Sequence, residues 1–116
     1  MTASHTRSVF IAGPMSTSGE PGPNLNAAAV AAADLLLAGF FPFVPHVTWI
    51  LHAIRPDVAV KTWQRWDHYW LVLCDAVLRL PGKSRGADEE VELAAKIGMP
   101  VFHDIQSLRL YFNDAE

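Results

Sequence analysis

Two acidic residues interrupt apolar helical stripes in this sequence, and acids so placed are the residue types that carry proton transfer and nucleophilic attack. The run from about Gly86 to Ile97 reads as a helix in which Ala87, Val91, Ala94 and Ile97 or Gly98 recur on one face, with Glu90 inside that face. Asp88, Glu89 and Glu92 fall toward its sides as solvated charges, and Glu92 is spaced to pair with Lys96. A carboxylate on the packed side near a helix N-terminus loses water but faces the positive end of the helix dipole, so it can be held as an anion for use. The alternative is a charge that only complements its own helix. The second acid, Asp67, sits in the middle of a helix expected over Val60 to Cys74, among the inward residues Trp63, Trp70, Leu71 and Cys74. Its plainer reading is a bond to neighbouring backbone or a pairing with Arg65 or Lys61.

Between these helices, Leu80-Pro-Gly-Lys-Ser-Arg-Gly86 leaves an apolar strand through a glycine-rich turn. The backbone amides from Gly82 to Gly86 and the Ser84 hydroxyl form a candidate anion cradle. Two carboxyl groups beside such a cradle suit cleavage of a glycosidic bond, because a facing carboxylate stabilises an oxocarbenium-like transition state.

The elements that must position these groups alternate along the chain. Ser8 to Gly13 is an apolar run ending in Gly-Pro, the pattern of a parallel strand buried on both faces. The Gly- and Pro-rich loop from Gly13 to Pro23 follows at the strand's carboxyl end, where open α/β sheets bind ligands, and offers Ser16, Thr17 and Ser18 as donors. No Gly-Lys-Ser/Thr ends it, which removes a Walker-type phosphate loop. Asn24 is expected to cap a helix from Leu25 to Ala38, and Gly39 to end it in the left-handed conformation. Phe40 to Pro45 reads as a strand whose two prolines place it at a sheet edge. Val47 to Ile54 is a short helix to which the sequence assigns no chemistry; His46 and His52 lack the spacing of metal ligands. Asp75 to Pro81 and Met99 to His103 supply two more strands, and Asp104 caps a last helix reaching about Phe112. This order predicts a single-domain α/β fold: a Rossmann/flavodoxin-like three-layer sandwich with a mainly parallel four- to five-stranded sheet. The loop after the first strand and the turn after the third would flank its ligand crevice.

Composition narrows the functions. The chain has 116 residues, 51% of them hydrophobic and 18% charged, which fits one well-buried domain with a flexible start over Met1 to Arg7. A net charge of -3 gives no basic footprint for a nucleic-acid polymer. The one cysteine, Cys74, lies in an apolar run and reads as a small buried hydrophobe rather than a nucleophile. No segment approaches a membrane span or a signal peptide, so a cytoplasmic location without membrane attachment is expected.

Several segments together resemble the nucleoside 2-deoxyribosyltransferase superfamily, in particular its small bacterial and phage-borne members close to nucleoside 5′-monophosphate N-glycosidases. They are Val9-Phe-Ile-Ala-Gly-Pro-Met15, Asn24 with Gly39 fifteen residues on, Asp67 eight residues before Asp75, and Ser84-Arg-Gly-Ala-Asp-Glu-Glu90 followed by Gly98-Met-Pro100. The resemblance spans residues 8 to 103. It implies that Glu90 is the nucleophile and that Asp67 protonates or holds the base. It further implies that Ser84 binds a 5′-phosphate and that Gly13, Pro14, Met15, Asn24 and Gly86 belong to the substrate site. No metal or other cofactor is implied; the expected partners are a small-molecule nucleoside or nucleotide and further copies of the chain. One departure stands out: the family's first strand carries a tyrosine that holds the nucleophile, and this chain has Phe10. The lost bond is worth about 1.5–3 kcal/mol of positioning, unless another donor such as Tyr69 replaces it.

Three functions compete on this reading. An enzyme would cleave or exchange the N-glycosidic bond through a glycosyl-Glu90 intermediate. A sensor would bind the same nucleotide without turnover. A structural protein would use the Trp-rich helix as an interface.

Overall fold

A computed structural model describes residues 6–15 and 21–115. Ser16, Thr17 and Ser18, and all but the end of the flexible start expected over Met1 to Arg7, lie outside the described residues. The elements alternate as β1 (Ser8–Ala12), α1 (Pro21–Leu37), β2 (Phe41–Phe43), α2 (Val47–Ile54), α3 (Val60–Val72), β3 (Ala76–Arg79), α4 (Arg85–Lys96), β4 (Val101–Phe102) and α5 (Ile105–Ala115). The four strands form one sheet in the order β2-β1-β3-β4. All three pairings are parallel, with Phe10 opposite Phe43 and Val77, and Leu78 opposite Phe102. Parallel neighbours need a crossover between them, and the intervening helices supply it. The α/β sandwich read from the pattern is the architecture found, with four strands. β2, with Pro42 at its centre, lies at the edge as expected.

The two sheet faces are filled differently. Val9, Ile11, Ala76 and Leu78 point to one face and meet Ala28, Ala31 and Leu35 of α1 and Leu108 and Phe112 of α5. Phe10, Ala12 and Val77 point to the other and meet Leu71 of α3 and Ala87 and Ala94 of α4. Small residues on α4 let it lie close to the sheet. Phe10 is fully buried there and stacks on Phe43, ring centroids 5.5 Å apart. β1 and β3 are clasped at their start: Ser8 N donates to Asp75 Oδ2 at 2.8 Å, and Asp75 N donates to Ser8 O at 2.8 Å.

One cap departs from expectation. α1 starts at Pro21, three residues before Asn24, so Asn24 lies inside the first turn and is not the N-cap. Proline suits a first helical turn because its missing N–H has no intrahelical partner there anyway. The other two boundaries hold. Gly39 follows α1 with φ +93°, and Asp104 Oδ1 accepts from Ser107 N at 2.7 Å at the start of α5.

Candidate active site

At the carboxyl ends of β1 and β3 the chain encloses a cavity of about 250 Å3. That is just below the roughly 300–1,000 Å3 usual for small-molecule sites. Gly13 and Met15 form its floor after β1, while Ser84, Gly86, Ala87 and Glu90 enter from the turn and first helical turns after β3. α3 contributes Val60, Trp63, Gln64 and Asp67, spaced so that all four share one helical face. Beside them, in contact with α3, the lining continues through Pro45 and, from α2, Thr48, Trp49 and His52.

The turn that carries α4 is held from below. Arg79, at the end of β3, donates to Leu80 O, to Gly82 O at 3.0 Å and to Asp88 Oδ1 at 3.0 Å. Gly82 has φ +113°, and a Cβ there would stand 2.7 Å from Pro14 Cγ, so glycine lets the two ligand-side loops touch. Ser84 caps α4: its Oγ accepts from Ala87 N at 3.1 Å, leaving the hydroxyl proton to donate elsewhere. The loop after β1 is pinned at two successive carbonyls, Pro14 O by His46 Nε2 at 3.0 Å and Met15 O by Asn24 Nδ2 at 2.8 Å. His46 is buried, which holds its pKa below the usual imidazole value and keeps the ring neutral, with the proton on the nitrogen that meets the carbonyl.

Both cavity acids are displaced from ordinary carboxylates. Burial pushes Glu90 up to about 8, with the charges of Asp67 and Glu89 adding to the shift and the Arg79 guanidinium opposing it. Burial likewise raises Asp67 to about 7. Thr48 Oγ1 donates to Pro45 O at 2.7 Å and lies 3.2 Å from Asp67 Oδ2. The hydroxyl has one proton for these two acceptors; donated to Asp67 it favours the carboxylate and opposes the larger effect of burial. Burial, not this contact, favours the neutral acid. The two carboxyl groups titrate as a coupled pair, and near neutral pH the pair retains protons that exposed acids would have lost.

Residues 7–103 match the family described as a domain of unknown function (DUF4406). The chain belongs to that family. No curated protein matches it.

In this DUF4406 domain six of the eight site residues expected from the sequence line one cavity: Glu90, Asp67, Gly13, Met15, Ser84 and Gly86. Pro14 and Asn24 act one step back, Pro14 against Gly82 and His46, Asn24 through the Met15 carbonyl. Tyr69 does not replace the hydroxyl missing at Phe10. It is 58% exposed and stands edge-on to Trp70, on a helix face turned away from Asp67. Asp67 meets Thr48 rather than Lys61 or Arg65, whose exposed position on α3 leaves them in solvent. Along α4 the ion pair formed is Arg85 with Glu89 at 3.4 Å, not Glu92 with Lys96. Sequence reasoning read α2 as a helix but gave it no part in the site, whereas Thr48, Trp49 and His52 complete the cavity. A threonine inside the apolar run Val47 to Ile54 was the available signal, since a buried hydroxyl needs a partner. Among the described residues no group of three or more His, Cys, Asp or Glu side chains converges to hold a metal ion, and no helix is long and apolar enough to cross a membrane.

Proposed function

We propose that this domain cleaves the N-glycosidic bond of a nucleoside 5′-monophosphate or nucleoside, as a nucleoside 2-deoxyribosyltransferase-like N-glycosidase. The observation that carries the reading is the meeting of Asp67 and Glu90, from two helices, in one largely apolar cavity that shifts both toward neutral titration. Such a pair can hold one proton and one negative charge together, which is what an acid-assisted displacement at an anomeric carbon needs.

In the proposed reaction a Glu90 carboxylate oxygen attacks C1′ and the bond from C1′ to the base nitrogen breaks. Its electron pair goes to the base, which takes the proton held by Asp67. Water then attacks C1′, passes a proton to the Asp67 carboxylate and frees Glu90; a second base in place of water gives exchange. Burial supports Asp67 as the acid, because it favours the protonated form. The free Ser84 proton and the amides opening α4 suit a phosphate on the far side of the sugar.

A second reading is a nucleotide sensor that binds without turnover. Phe10 favours it: the ring is sealed in the core against Phe43, so this strand gives Glu90 no hydroxyl, and burial with the nearby Asp67 and Glu89 charges favours protonated Glu90.

Chromatography for free base separates the two. Incubation with ribo- and deoxyribonucleosides and their 5′-monophosphates, with and without an acceptor base, should release base from at least one of them, and Glu90→Ala should not. Intact nucleotide throughout, with binding retained, would leave the sensor.

A further inference from the structure

The wall between α2 and α3 contains more polar capacity than the protein itself uses. Trp63 Nε1, His52 Nδ1 and Asp67 Oδ1 are buried and have no hydrogen-bond partner among the described residues. All three side chains line the same cavity. Asp67 is only 6% exposed. Unpartnered buried polar atoms are each costly and native structures hold few of them, so three in one wall call for a common explanation. Trp63 and Asp67 are one helical turn apart on α3 and present their polar atoms on the same face. Trp63 is further fixed by Trp66, ring centroids 5.5 Å apart. Trp49 and Val60 add apolar surface to the same wall.

We infer that this wall is the subsite for a planar base and that Trp63 is its specificity-determining residue. The inference rests on the N-glycosidase or nucleotide-binding reading of the cavity. An indole N–H can only donate, so the base must offer it an acceptor, a ring nitrogen or a carbonyl oxygen. Asp67 and His52 can each take either role, and an acid that is to deliver a proton must lie against the base. The ligand class is therefore a heterocycle with an acceptor beside an N–H along one edge, such as an amide or amidine edge. An aliphatic or purely hydrophobic leaving group would leave the Trp63 donor unpartnered, and would be rejected for that reason.

The test compares Trp63→Phe with the wild type by direct binding of two probes: inosine 5′-monophosphate, which has such an edge, and ribose 5-phosphate, which has the sugar and phosphate but no base. Phenylalanine keeps most of the apolar surface and removes the donor, and thermal melting should show the variant folded and no less stable. The expected result is a Kd for inosine 5′-monophosphate raised about tenfold, with the Kd for ribose 5-phosphate altered less than twofold. That is the loss of one hydrogen bond to a buried, otherwise unpaired group. Equal weakening of both probes, unchanged nucleotide binding, or a wild type that binds neither would overturn the assignment. Because the readout is binding, it stands apart from catalysis. A wild type that binds nucleotide but never releases base would remove the N-glycosidase and leave the Kd ratio to decide Trp63.

Discussion

The two faces of the sheet are built from the same strands and do different work. Beneath α1 and α5 the contacts are wholly apolar, from Val9, Ile11 and Leu78 to Leu35, Leu108 and Phe112. Beneath α3 and α4 the cluster is smaller and its helix residues are mostly alanine, with Leu71 the exception. At the carboxyl end of that second face, Asp67 and Glu90 stand where a dry core would have placed leucines. One face is given to burial; the other yields burial to hold two acids short of water. The lesson is that alternation along a strand lets a single five-residue run such as Ser8–Ala12 serve a core and a site at once.

The comparison breaks most sharply at Glu90. Under the proposed chemistry Glu90→Gln should reduce base release by on the order of 1,000-fold or more, the scale of losing a nucleophile. The same variant should change stability in the opposite direction. Between the ordinary carboxylate range near 4 and about 8, the folded chain holds protons on Glu90 and Asp67 that the unfolded chain releases. Stability must therefore fall as pH rises through that window. Thermal melting from pH 5 to 8.5 should show the fall in the wild type and a shallower one in Glu90→Gln, and parallel profiles would mean that Glu90 is not protonated in the fold. On the opposite face, Leu35→Ala should cost about 2–5 kcal/mol in denaturant unfolding, since Leu35 is fully buried. Base release per folded molecule should be unaltered, and a loss of turnover there would show that the faces are not separable. The smallest effect belongs to Ser84→Ala, about 1 kcal/mol of stability for the lost cap. It should also weaken monophosphates more than nucleosides, and equal weakening would detach Ser84 from the phosphate.

Much of this was legible in the sequence because it follows from periodicity. An acid at a stripe position is visible one helix at a time, so Glu90 and Asp67 stood out before any fold was known. Phe40 to Pro45 declared an edge strand by its prolines. What stayed hidden depends on which helices face each other. Thr48 meets Asp67 across 19 residues of chain, and no local pattern encodes that approach. The start of α1 was misplaced because Asn24 carries a good capping side chain while Pro21 carries only a permissive backbone, and the side chain of Asn24 turned out to serve the Met15 carbonyl. Tyr69 had the right hydroxyl on the wrong face of its helix.

The clasp between Ser8 and Asp75 joins residues 67 apart. β1 lies inside the sheet, with β2 and β3 on either side, yet it precedes both of them in the chain. During translation it waits for both neighbours, and the later of them brings the turn and α4 that carry Ser84 and Glu90. A nascent or truncated chain ending before β3 can have a helix and a strand edge, but it lacks Ser84, Gly86, Ala87 and Glu90, which line the cavity. Such long-range closure is slow relative to local helix formation and leaves an apolar strand exposed while it is pending. Any ligand that rescues folding would have to act after that closure, as a clamp on the finished sheet rather than a template for its assembly.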